Sequence, residues 1–165
     1  MSVITEKPIV TKISDEIFTR LETLITEPND AFTFTNVVRP TKIATYTPAH
    51  GLIVLTRGEI TRVNDLDCPG NPPAVALTQQ FNIRLILMPS ERNQDAIDTL
   101  LNQFASDVRK CICQPASSWH TFDGNALYAN FGPQIVFTSD GGVDGANMQL
   151  LVTYRVSEDD PTERR

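Results

Sequence analysis

The segment Phe81-Asn82-Ile83-Arg84-Leu85-Ile86-Leu87-Met88-Pro89 alternates apolar and polar residues as far as Leu85, then stays apolar up to a proline. After it, from about Asn93 to Ile112, the apolar residues Ile97, Leu100, Leu101, Phe104, Val108 and Ile112 recur at helical spacing. A period of two giving way to a period near 3.6 places a strand before a long amphipathic helix. The strand extends back to Ala76, with Phe81, Ile83, Leu85 and Leu87 on one face and Gln80, Asn82 and Arg84 on the other. One face is therefore core and the other at least half wet. Asp95 and Asp98 near the start of the helix, and Arg109 and Lys110 near its end, suit the helix dipole.

Working outward toward the N-terminus, Ser14 is placed to cap a helix carrying Asp15 and Glu16 in its first turn. Its apolar stripe is Ile17, Leu21, Leu24 and Ile25, ended by Pro28 and Asn29. Alternation predicts a strand over Ala31 to Val38, ended by Arg39 and Pro40. Thr41 to Pro48, broken by two prolines, reads as a loop or edge strand. Leu52 to Leu55 reads as a buried strand, separated by Gly58 from an alternating segment, Glu59 to Val63, and Asn64 to Pro73 has loop composition.

Toward the C-terminus, Cys113 to Asp123 reads as irregular. Two strands follow, Ala126 to Thr138 and Met148 to Val156, joined by a glycine-rich loop over Ser139 to Ala146 that is expected to be mobile. The expected organisation is a lead over 1–12, one α+β domain over 13–156 and a flexible charged tail over 157–165. Its sheet is mixed and largely antiparallel, with two main helices packed on one face.

Composition limits the function classes. The 165 residues suffice for one domain with its own core, and the formal net charge of −6 disfavours broad nucleic-acid binding. Met1 to Pro8 lacks the basic start and apolar run of a secretory signal, and Leu85 to Met88 falls far short of a membrane span. A soluble protein in a reducing compartment is expected, since Cys68, Cys111 and Cys113 make an odd number with two only one residue apart.

Candidate chemistry is sparse. Cys111 and Cys113 with His120 and Cys68 supply zinc-type ligands, but a one-residue gap departs from the usual spacing and Cys111 lies on the helix's apolar stripe, so buried thiols are expected. Asp140-Gly141-Gly142-Val143-Asp144-Gly145 lacks the carboxylates of a calcium loop. His50 has no nucleophile in a strained turn beside it, and Gly141-Gly142 has neither the lysine nor the helix of a phosphate loop. No catalytic residue, metal or cofactor is therefore assigned. Arg39, Arg57, Arg62, Arg84 and Arg155 lie on or next to strands, where arginine covers a solvated face or makes a protein contact. With Gln80, Asn82, Asp140 and Asp144 they form the candidate interface set.

The Phe81 to Pro89 strand leads into a helix containing Asp98 and Leu101. Taken with the N-terminal helix, the Leu52 to Leu55 strand and the final Leu150-Leu151-Val152-Thr153-Tyr154-Arg155, it resembles the tail terminator (tail completion) proteins of tailed bacteriophages over about residues 13–156. The resemblance implies a virion protein of the neck, made in the bacterial host cytoplasm. It assembles as a homo-hexameric ring, caps the tail tube protein and faces the head connector, with the sheath protein a further candidate neighbour. It carries no catalytic residues, and neither membrane nor sequence-specific nucleic acid is an expected partner. A head-completion or connector adaptor of the same neck is the near alternative. A small cytoplasmic enzyme or ligand-binding domain using His50, His120 or the cysteines is the alternative of another class.

Overall fold

The computed structural model describes residues 6–26, 36–39, 51–88, 94–132, 136–140 and 143–163. It has two long helices, α1 (Ile9–Thr26) and α2 (Gln94–Ile112). They accompany a six-stranded sheet of β1 (Asn36–Val38), β2 (Leu52–Arg62), β3 (Ala74–Leu87), β4 (Tyr128–Phe131), β5 (Val136–Asp140) and β6 (Val143–Ser157). The sheet order is β1-β2-β3-β6-β4, with β5 beside the other end of β6. Among the described strands only β1 and β2 are parallel; every other pair is antiparallel. The chain is α+β with a mixed, largely antiparallel sheet and both helices on one face, as the alternation and helical spacing predict.

Register explains the layers. β3 pairs with β6 from Ala74↔Ser157 to Leu87↔Asp144, so Phe81, Ile83 and Leu85 share a face with Leu150, Met148 and Ala146. That face packs in one cluster with Ile9, Ile13, Ile17 and Leu21 of α1 and Ile97, Leu101, Phe104, Val108 and Ile112 of α2. A helix repeating isoleucine or leucine every four residues presents a narrow apolar stripe, and here the stripe lies on the sheet.

Several boundaries differ from the sequence expectation. α1 begins at Ile9 rather than at Ser14, because the Pro8 carbonyl accepts from the N–H groups of Thr11 (2.9 Å) and Lys12 (3.1 Å) and so opens the first turn. Ser14 is buried within the helix, and the lead over 1–12 contributes core residue Ile9. The two segments around Gly58 form one strand with a bulge, since register shifts between Arg57↔Phe81 and Ile60↔Gln79. A Cβ at Gly58 would lie 3.0 Å from the Gln80 side-chain nitrogen, and the buried Gln79 amide donates to the bulge carbonyls of Gly58 (3.0 Å) and Glu59 (3.3 Å).

Within the expected mobile loop over Ser139 to Ala146, the described residues Ser139, Asp140 and Val143 to Ala146 are paired strand instead. Thr138 lies opposite Gly145, Ser139 opposite Asp144, and Asp140 opposite Val143. The single strand expected over Ala126 to Thr138 is divided between β4 and β5. The C-terminal tail, expected to fray, is tied down over its described part. Ser157 N–H donates to the Glu163 carbonyl (3.1 Å), Glu158 N–H to Pro73 (2.9 Å), and Ile9 N–H to Pro161 (3.1 Å), which also caps α1. The expected strand over 31–35, the 41–48 segment and His50 lie outside the described residues.

Candidate functional site

The sheet face opposite the helices is the candidate site. Because β-strand side chains alternate, the residues between the core positions of β3 must point to this face. Register places Asn82 between Thr56 of β2 and Gln149 of β6, and Arg84 between Val54 and Asn147. Gln80 completes the patch, its amide nitrogen donating to Asn82 Oδ1 at 2.9 Å. Thr56, Gln80, Asn82, Asn147 and Gln149 are half-buried, and Arg84 is exposed.

Both ends of this face are closed. At one end Leu52, Val54 and Ile86 form a small buried apolar cluster with Val38 against it. At the other, the connection between β2 and β3 leans onto the sheet, where Arg155 Nε donates to the Leu66 carbonyl at 2.7 Å. Between them the described residues present side-chain amides, the Thr56 hydroxyl, the half-buried Leu151 opposite Gln80, and the exposed Arg84. Amides offer donors and acceptors together, so such a surface suits contact with another protein's polar or backbone groups.

Of the nine candidate interface residues, the structure brings Gln80, Asn82 and Arg84 into this patch. The others are placed elsewhere. Arg155 shares the face but is committed to Leu66. Arg62 donates through Nε (3.0 Å) and Nη2 (2.8 Å) to Asp67 Oδ2, while Asp67 Oδ1 accepts from Ala76 N–H (2.7 Å). Arg39 pairs with Asp15 (2.5 Å) and lies over the Phe18 ring on the helical side. Arg57 reaches Thr11 of α1 at 3.4 Å, also on the helical side. Asp144 is only 2% exposed, so the reading of it as an accessible loop acid is corrected. Asp140 sits at the end of β5 opposite Val143.

Thr56, Asn147 and Gln149 join the patch without having been singled out in the sequence. Their signal is cross-strand register, which one strand's alternation does not contain. Arg20 is also missing from the sequence reading. It is a partly buried clamp whose Nη1 donates to the Ile112 carbonyl at the end of α2 (2.6 Å) and to the Trp119 carbonyl (3.2 Å), with the guanidinium over the Phe122 ring.

A groove of about 590 Å³ lies between α1 and α2, lined by residues including Glu16, Arg20, Asp107 and Cys111. Two of its polar groups are held in place: Arg20 Nε donates to Glu16 (2.9 Å), and Asp107 accepts from the Gln103 amide (2.9 Å). Burial, with Asp107 nearby, pushes the Cys111 thiol up to about 12, and its S–H donates to the Val108 carbonyl (3.2 Å). A thiol so held is protonated at neutral pH and a poor nucleophile or metal ligand. Burial raises Cys113 as well, and His120 packs edge-on against Trp119. Among the described residues no three His, Cys, Asp or Glu side chains converge as a metal site, and no helix is long and apolar enough to cross a membrane. No family model and no curated protein matches the sequence.

Proposed function

We propose that this protein is a structural subunit of a bacteriophage neck, a tail-terminator-like protein that forms a hexameric ring between the tail tube and the head connector. One observation carries the reading: among the described residues the helices cover one face of the sheet, and the other face presents the polar side chains of Thr56, Gln80, Asn82, Arg84, Asn147 and Gln149. A ring subunit needs surfaces for unlike neighbours, and a helix-backed sheet with one open face supplies a rigid one. The helical groove supports an enzyme reading less well, since Arg20 is engaged with Glu16 and with backbone carbonyls and the Cys111 thiol is protonated.

In this reading the open face meets a neighbouring neck or tube protein. Electron imaging of particles carrying a labelled copy of the chain tests it. Label in a six-fold ring at the junction of head and tail is the expected result; label elsewhere, or a ring of another symmetry, overturns the proposal.

A further inference from the structure

The two edges of the sheet differ, and they match each other. β1 covers β2 only from Leu52 to Val54, so among the described residues nothing pairs with the outer edge of β2 beyond that point. Residues 57–62 there are all exposed, including Ile60 at 54%. At the opposite edge β4 pairs, among the described residues, with β6 alone, and its Tyr128 and Asn130 are exposed.

These free edges stand level. Following pairs across the sheet, one row runs Ile60, Gln79, Val152, Ala129, and the next runs Thr61, Thr78, Thr153, Tyr128. A third runs Arg57, Phe81, Leu150, Phe131. The free part of β2 and the whole of β4 thus terminate the same rows from opposite ends. Their directions are also opposed, because three successive antiparallel pairings separate them.

We infer that copies of this chain join head to tail by strand pairing, the outer edge of β2 between Thr56 and Arg62 receiving β4 of the next copy. Set side by side in the same orientation, two copies meet β2 to β4 antiparallel, the better-bonded arrangement. With the strands along the symmetry axis no axial slip is needed, and a contact without slip closes into a ring where its rotation divides the circle. Each row then continues into the neighbour: Ile60 comes beside Ala129, Thr61 beside Tyr128, and Arg57 beside the ring of Phe131. The exposed Ile60 gains an apolar neighbour on the helix-side face, while Thr61 and Tyr128 meet on the open face. Unsatisfied backbone groups of an edge strand supply the affinity, and the side-chain rows fix register. This inference rests on the ring reading for its closure; the edge geometry that it uses is independent of where in a virion the ring sits.

A mixing experiment tests it. The variants Ile60→Lys and Asn130→Lys each place a charge on one edge and leave the other intact. Both positions are exposed, and a thermal melt of each variant is the check that it folds. Native mass spectrometry and sedimentation of the wild-type chain, up to millimolar concentration, are expected to give a closed oligomer. Each variant alone is expected to be monomeric, and an equimolar mixture to give a one-to-one heterodimer, because one good β2 edge then meets one good β4 edge. Amide exchange on the unmodified chain is expected to slow at least tenfold over 56–62 and 128–131 as concentration rises. Dimers of Asn130→Lys alone would reveal two-fold β2-to-β2 pairing and overturn the inference. So would variants that assemble as the wild type does, a mixture that stays monomeric, or a wild-type chain monomeric throughout. The neck reading is judged separately by particle images, so a neck ring built through other surfaces would refute the edge pairing alone.

Discussion

Replacing Arg20 by methionine removes the guanidinium while keeping an unbranched stem of similar reach, and it isolates what the charged fork contributes. In the native fold this side chain, 11% exposed, joins three elements: α1 through Glu16, the end of α2 through the Ile112 carbonyl, and the turn beyond it through Trp119. A hydrogen bond from a charged donor contributes ~1.5–3 kcal/mol. The two carbonyls share one nitrogen, so they count as little more than one such bond. Contact with the Phe122 face adds ~0.5–2 kcal/mol. Glu16 is more exposed than Arg20, and a surface pair of this kind adds less than ~1 kcal/mol. Desolvating the cation offsets part of the total, leaving a net loss of about 3 kcal/mol for Arg20→Met. For a domain of this size that corresponds to a fall in Tm of roughly 6–12 °C. Arg20→Lys restores the charge without the fork and is expected to recover about half of the loss. Urea unfolding followed by far-ultraviolet dichroism and by Trp119 fluorescence checks both numbers, since the sole tryptophan lies beside the clamp. A methionine variant within 1 kcal/mol of wild type, or a lysine variant no better than methionine, would refute the clamp.

Three further outcomes are expected. Phe104→Ala empties a fully buried site between α2 and the sheet and should cost ~3–5 kcal/mol in chemical unfolding; an unchanged melt would place the apolar stripe of α2 wrongly. The Ala76 N–H first, and then Arg62, hold the Asp67 carboxyl below its usual range, as Lys7 and Arg39 do for Asp15. A lowered folded pKa gives stability that is present above pH ~4 and lost as pH falls through the folded value. The urea midpoint should therefore drop on acidification, and Asp67→Asn should flatten that drop; a profile indifferent to the substitution would contradict it. Arg84→Glu should leave the melt within ~0.5 kcal/mol of wild type, as exposed sites do, yet lose incorporation into particles; normal incorporation would remove Arg84 from the working surface.

The parts of the fold that were legible in the sequence are those with uninterrupted periodicity. The apolar stripe of α2 and the alternation of β3 and β6 each repeat often enough to fix a face. α1 was half legible: Ile17 and Leu21 were read, but Ile9 and Ile13 extend the same four-residue spacing back to Pro8, and the cap signal at Ser14 competed with it. The full extent of the β5 to β6 pairing was obscured by glycine-rich composition. Gly141-Gly142 is itself a two-residue hairpin signal, and Gly145, buried opposite Thr138, belongs to the strand. Arg20 was illegible for another reason, because its carbonyl partners lie 92 and 99 residues away in sequence. The open face was read on β3 alone; the residues completing it come from β2 and β6, and register brings them there.

The position of β6 governs the order in which the fold can be completed during synthesis. It is the last of the described strands to be made, yet it lies inside the sheet, between β3 on one side and β4 with β5 on the other. The β2–β3 hairpin can form early, while β4 and β5 have no described strand to join until β6 leaves the ribosome. Until then Phe81, Ile83 and Leu85 lack their cross-strand neighbours and β3 offers a long bare edge. Nascent chains stalled before about residue 143 should therefore be the form most prone to aggregation and the natural client of a chaperone, whereas release of residue 157 lets the two half-sheets close around one strand.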